Sequence, residues 1–153
     1  MITRFTSRAV AALLMLGLAP MLAPPARAAD APRETVAPAY AYPIANVPGN
    51  TITSLIVTYP PGGKTPSHRH GRAFVVAYVL EGSVRSQVDK GPVRTYKAGE
   101  SWTENPGAVH AVSENASATE PAKILAVLIH DAKAKDLVTF DPPAGKAVKV
   151  PRQ

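Results

Sequence analysis

Cysteine is absent from the 153 residues, which removes disulfide scaffolds, thiolate zinc sites, iron–sulfur clusters and thiol nucleophiles together. Any metal this chain holds is held by nitrogen and oxygen. Aromatic residues are scarce at 6%, while 16 prolines and 10 glycines punctuate the chain, so a coiled coil or helical bundle is disfavoured and a turn-rich, mostly β domain is expected. The basic residues Arg69, Arg72, Arg85, Lys90, Arg94 and Lys97 stand singly, without the interleaved aromatics a single-strand nucleic-acid groove uses. They read as solvated surface, and no nucleic-acid partner is expected.

No apolar run is long enough to cross a bilayer, which takes about 20 residues as a helix. Ala9 to Ala19 is such a run, but too short, and it follows Arg4 and Arg8. After the breakers Pro20 and Pro24-Pro25, Ala26-Arg27-Ala28 has the small-x-small form of a cleavage site. Residues 1–28 are therefore expected to be a secretory signal peptide. The mature protein would be periplasmic or secreted and free of the membrane after cleavage. Arg4, Arg8 and Arg27 leave with the leader and no acid does, so the net charge falls by three from +6.

With 46% hydrophobic residues, the remainder supports one core. Residues 29–50, rich in Ala, Pro and Tyr, read as an extended N-terminal arm packing on the domain or on a neighbour. Residues 51–131 alternate strand-like runs with turn signals. Thr51 to Tyr59 is β-branched and stopped by Pro60-Pro61-Gly62-Gly63. Ala73 to Leu80 reads as a strand buried on both sides, Glu81-Gly82 as a tight turn, and Ser83 to Asp89 as a half-exposed strand with Val84, Ser86 and Val88 on one face. Val93 to Lys97, Ser101 to Glu104, Val109 to Ser113 and Ile124 to His130 complete seven or eight strands, the spacing of an all-β sandwich or barrel. Residues 132–153 read as a C-terminal tail with one more short element around Leu137, Val138 and Phe140 and a frayed end.

His68-Arg69-His70 places two imidazoles at i and i+2, on one face of an extended segment. His110 follows forty residues on, just after a Pro-Gly turn, where a facing strand brings it opposite the pair. Neutral imidazole suits Fe(II), Ni, Cu and Zn. Taken alone, His-x-His in a loop is better explained by solvated histidines. A shared site requires the three rings to converge within about 6 Å, because ligand bonds are only about 2 Å long.

These residues resemble the cupin superfamily. Its first motif is a glycine, five residues, His-x-His, three or four residues, a glutamate, six residues and a glycine; Gly62, His68, His70 and Gly82 fall in register. Its second motif runs from a glycine through a proline and a glycine to a histidine and an asparagine. Gly99, Gly107 and His110 match that spacing, while Pro106 and Asn115 come one residue late. The resemblance covers about 51–131 and implies a double-stranded β-helix, or jelly-roll barrel, with a divalent metal on His68, His70 and His110. Fe(II) is the first assignment, with Ni, Mn, Cu or Zn compatible. It also implies a homodimer.

One slot departs from the pattern. Where the family carries a glutamate ligand, this chain has Phe74 or Val75, which cannot donate to a metal. Three neutral ligands leave open positions for water or substrate. Glu104, six residues before His110 and on the same face as Trp102, is the candidate catalytic carboxylate. It can replace the missing acid, orient an imidazole, act as a general base, or be a solvated strand-end acid. Gln87 and Tyr78 are weaker lining candidates, Trp102 reads as packing, and His130 as a packed or solvated histidine.

The expected function is a dioxygenase-like metalloenzyme acting on a small oxygen-chelating organic substrate such as an enol, diketone or flavonol. The alternative is a small-ligand-binding module without turnover, which the missing glutamate favours.

Overall fold

The computed structural model describes residues 33–142, so the leader expected over 1–28, the first residues of the arm and the end of the tail lie outside the described residues. Within them every regular element is a strand: β1 (Thr35–Pro43), β2 (Asn50–Tyr59), β3 (Lys64–Thr65), β4 (His68–Arg69), β5 (Phe74–Glu81), β6 (Ser83–Val88), β7 (Arg94–Lys97), β8 (Ser101–Glu104), β9 (Val109–Asn115), β10 (Ala122–Asp131) and β11 (Thr139–Phe140).

All strand pairing in the two sheets is antiparallel. One sheet has the order β1-β2-β10-β5-β8; the other runs β11-β4-β9-β6-β7, with β3 also paired to β9. This is the all-β jelly roll expected from the sequence. The β-branched and aliphatic runs of β2 and β10 pair over their whole lengths, from Tyr59↔Ala122 to Asn50↔Asp131, and form the centre of the first sheet. Inward residues of both sheets share one core that includes Val57, Tyr59, Val79, Val84, Ile124 and Leu128. Tyr96 of β7 and Trp102 of β8, with ring centroids 4.8 Å apart, join the sheets at one edge.

Three features depart from the sequence reading or sharpen it. Strand β5 is not buried on both sides: Val75, Ala77 and Val79 point inward, while Tyr78 and Leu80 are each 42% exposed. The physical reason is that nothing among the described residues covers the outer face of its sheet, so an apolar run still alternates. The arm contributes an edge strand, since β1 pairs with β2 from Thr35↔Thr58 to Pro43↔Thr51. Finally, β9 carries a bulge opposite β6, because Gln87 pairs with Val112 but Val88 pairs with His110. The extra residue, Ala111, explains why Asn115 falls one position late after His110. Asn115 still has a structural role, its amide donating to the Pro60 and Glu120 carbonyls at 3.0 and 2.7 Å.

The core contains many small residues. Ala77 and Ala126 pair across β5 and β10, and Ala126 also faces Leu55 of β2. Short side chains there leave the barrel interior partly unfilled, and that space becomes the cavity beside the histidines.

Candidate metal centre

The three motif histidines converge. His68 and His110 are direct partners across β4 and β9, and His70 follows in the turn after β4. Ring centroids lie 4.9 Å apart for His68 and His70 and 5.0 Å apart for His68 and His110. One donor nitrogen from each falls within 4.8 Å of the others. Donors bound about 2.1 Å from a common ion sit about 3 to 4 Å apart, so the triad is close to a binding geometry.

Each imidazole is held by a protein partner on one nitrogen. His68 Nδ1 lies 2.8 Å from the Pro66 carbonyl and His70 Nδ1 lies 2.9 Å from the Leu137 carbonyl. A carbonyl can only accept, so both Nδ1 atoms carry hydrogen and both Nε2 atoms keep a lone pair for a cation. His110 Nε2 pairs with Ser86 Oγ at 2.9 Å, which leaves Nδ1 facing the carboxylate of Glu104. Burial lowers all three imidazole pKa values, that of His110 to about 3, with the neighbouring imidazoles adding to its shift. The rings are therefore neutral at ordinary pH and available as ligands.

Glu104 is not a solvated strand-end acid. It is 2% exposed, its Oε1 lies 3.1 Å from His110 Nδ1 and its Oε2 lies 3.7 Å from His70 Nε2. Trp102 Nε1 donates to Oε1 at 3.2 Å, but Oε2 is buried with no hydrogen-bond partner among the described residues. Burial raises the carboxyl pKa, which is the cost of an anion away from water without a cation beside it. An orphaned buried carboxylate oxygen beside three neutral imidazoles is a donor set that fits a divalent ion.

The other sequence candidates divide. Trp102 lines the site and donates to Glu104. Tyr78 points outward, and Gln87 is absent from the cavity wall, its amide donating instead to the Gly91 carbonyl at 2.7 Å. His130 is packed, with Nε2 2.9 Å from Thr53 Oγ1 and Nδ1 2.9 Å from the Asp131 carbonyl, and it is not one of the three converging donors. Ser86, Glu34, Phe140 and the Leu137 carbonyl were not singled out as site groups in the sequence. Ser86 left a trace there as a hydroxyl on the inward face between Val84 and Val88, and Leu137 and Phe140 as part of a short tail element.

The centre opens into a cavity of about 100 Å³ walled by Leu55, Val57, Val75, Ala77, Ile124 and Ala126. Of strand β5 only Val75 and Ala77 reach it. A cavity of about 150 Å³ accepts benzene, so the space beside the histidines is on the scale of a small molecule. Tyr59 crosses the interior, its hydroxyl 2.6 Å from Ser113 Oγ and accepting from Thr65 Oγ1 at 3.3 Å; burial raises its pKa, and it stays a neutral phenol.

Comparison with known proteins agrees with this architecture. The model of the family described as Cupin domain matches residues 55–128. Germin-like protein subfamily 2 member 2 of Arabidopsis thaliana is 35% identical over 89 residues, which is 54% of this chain; the chain spans only 40% of that relative's length. Among solved structures, a recombinant oxalate oxidase in complex with glycolate has a TM-score of 0.54 at 22% identity, over 70% of this chain and 54% of the oxidase. KdgF from Halomonas sp. has a TM-score of 0.52 at 13% identity, over 65% of this chain and 81% of KdgF. At such identities the structural likeness speaks for the fold. The two histidine motifs, the antiparallel jelly roll and the matched domain model coincide on one segment, so residues 55–128 form a cupin domain.

Proposed function

We propose that the protein is a mononuclear metalloenzyme of the dioxygenase-like type, acting on a compact organic substrate that chelates through two oxygens. His68, His70 and His110 hold the ion, Fe(II) in the first instance, and Glu104 completes the donor set with the negative charge that the motif slot lacks. When bound, the ion supplies Lewis acidity and one-electron chemistry. The chain's own residues do the rest. Pro66, Leu137 and Ser86 fix which imidazole nitrogens face inward, Trp102 holds Glu104 in place, and the apolar wall of Val57, Val75 and Ile124 excludes water and selects a small, largely apolar molecule. The observation that carries the reading is the buried, unpartnered Oε2 of Glu104 within 3.7 Å of His70 Nε2. The setting we propose is the periplasm or the exterior, after removal of the leader, with two copies pairing through the arm strand β1.

The test is elemental analysis of the protein purified without a histidine tag. Near one equivalent of a divalent metal, lost in His68→Ala and His110→Ala, is expected. Trp102 is the sole tryptophan and its ring lies 5.9 Å from that of His110, so titration of the metal-free protein with Ni(II) or Cu(II) should quench its fluorescence to a one-to-one end point. Absence of metal and of quenching would return the protein to the class of binding modules without turnover. Oxygen uptake with a panel of small diketones then separates an enzyme from a metal-bearing binder.

A further inference from the structure

The two sheets of the barrel differ on their outer faces. That of the second sheet is polar, as a face in water should be: Arg85 of β6 pairs with Glu114 of β9 at 2.7 Å, with Gln87 on the same face and Arg69 of β4 beyond them. The first sheet is apolar on the corresponding face. Strand β5 presents Val76, Tyr78 and Leu80 there, and β10 presents Leu125, Val127 and Ile129. Register aligns such side chains across the strands, one row running Tyr42–Ile52–Ile129–Phe74, so the face is continuous from β1 to β5. Tyr40 and Tyr42 stack at its β1 edge with ring centroids 5.8 Å apart. Tyr42, Tyr78, Leu80 and Ile129 are exposed. Among the described residues of this face, charge is confined to the two ends of the β10 row, Lys123 with its partner Glu81 at one and Asp131 at the other.

An apolar sheet face of this extent marks a contact. Five strands about 4.8 Å apart, with about eight residues of about 3.4 Å each, give roughly 600 Å² in projection. Two such faces reach the lower end of the roughly 1,200 to 2,000 Å² that stable interfaces bury in total. The described tail ends beside β4 of the second sheet, and beyond residue 142 the sequence holds only Val148 and Val150 as large apolar residues, among Lys146, Lys149 and Arg152, a poor match for this surface. A second copy matches it. A two-fold axis across the strands lays apolar row on apolar row and turns each Asp131 toward the Lys123 end of the other copy, whereas an axis along the strands opposes Asp131 to Asp131. We propose that two copies of this chain pack the outer faces of their first sheets together, β10 over β10, with Tyr78, Val127 and Ile129 in the buried middle and Tyr40 and Tyr42 of both arms meeting at the rim. Sheets packed in this way lie about 10 Å apart with their strands nearly aligned. The proposal rests on the pairing of copies in the reading above and gives that pairing a surface; the metal centre has no part in it.

The experiment is sedimentation velocity over a dilution series, on protein expressed from the full chain and purified without a tag. The wild type is expected to sediment as a dimer and to dissociate on dilution. Ile129→Lys and Tyr78→Lys, both at positions exposed in the single copy, are expected to keep the β-sheet circular dichroism and to raise the dimer dissociation constant at least about 100-fold. Gln87→Lys, on the polar face of the other sheet, should leave it unchanged. Hydroxyl-radical footprinting of the wild type reads the same surface without a substitution: Tyr78 and Leu80 should be protected in the dimer relative to the dissociated chain. A wild type that is monomeric at every concentration would overturn the pairing and this surface together. A dimer that both lysine variants leave intact, or Tyr78 equally reactive in dimer and monomer, would overturn this surface alone. Protection of Tyr78 in the monomer would mean that another segment of the chain covers the face, and binding of the monomer to phosphatidylcholine vesicles would mean that a membrane does; either result overturns the proposal.

Discussion

Val75 and Glu104 are direct partners across β5 and β8. Val75 stands five residues after His70, in the slot where the superfamily motif carries its glutamate. Residues directly opposed in an antiparallel pair project from the same face with Cβ atoms about 4.5 to 5.5 Å apart. A carboxylate on Glu104 therefore reaches the place a carboxylate on residue 75 would occupy, delivered from the neighbouring strand.

That relationship makes an exchange testable. Glu104→Gln is expected to lower metal affinity at least about tenfold, by removing an anionic donor. Glu104→Val should behave likewise, and adding Val75→Glu in that background should restore binding to within about threefold of wild type. Competition against a chromophoric chelator measures all three. A double variant no better than Glu104→Val would show that the two positions are not equivalent.

Protonation of the centre should destabilise the metal-free protein. The folded-state pKa values of His68, His70 and His110 are lowered by burial, so below about pH 6.5 the unfolded chain binds more protons and stability falls as pH falls. Glu104 acts in the opposite sense, since its raised pKa favours the folded state below that pKa, but one carboxyl opposes three imidazoles. The melting temperature of the metal-free form should drop from pH 7 to pH 5, and His110→Gln should flatten that slope. Because the rings resist protonation, metal retention at pH 5 is compatible with histidine ligation.

The described part of the tail, up to residue 142, packs against the centre. Phe140 pairs with His68 through β11 and β4, and the Leu137 carbonyl accepts from His70 Nδ1 at 2.9 Å. Asp141 latches the segment, accepting from Ser67 Oγ at 2.7 Å and from Arg69 Nε at 3.3 Å; the Ser67 bond in particular holds its carboxyl pKa low. A chain ended after Asp136 should keep its β-sheet circular dichroism while losing metal affinity about 10- to 100-fold. Unchanged affinity would mean the carbonyl does not orient His70.

The motif glycines should separate by mutation. Gly82 has φ +69°, and a Cβ there would lie 2.5 Å from the Pro121 carbonyl oxygen, so Gly82→Ala meets both backbone strain and a backbone clash. It should cost about 2 kcal/mol or more in chemical denaturation. Gly107 has φ +82° with nothing within 4 Å of an added methyl, so Gly107→Ala should cost only the strain, about 1 kcal/mol. Equal losses would mean that the Pro121 contact relaxes freely.

The order of residues settled what depends on local spacing. Turn chemistry and β-branched runs marked the strands, His-x-His put two imidazoles on one face, and the interval from Glu104 to His110 kept the acid near the second motif. Tertiary structure decided what depends on pairing between distant segments. Cross-strand register aligned Glu104 with Val75, the bulge at Ala111 let Asn115 sit one position late, and the tail carbonyl of Leu137 fixed the tautomer of His70. The exposure of Tyr78 and Leu80 came from the same source, because an apolar run cannot show whether anything covers its outer face. A sequence states which side chains alternate, but only the closed barrel determines which of them share a centre.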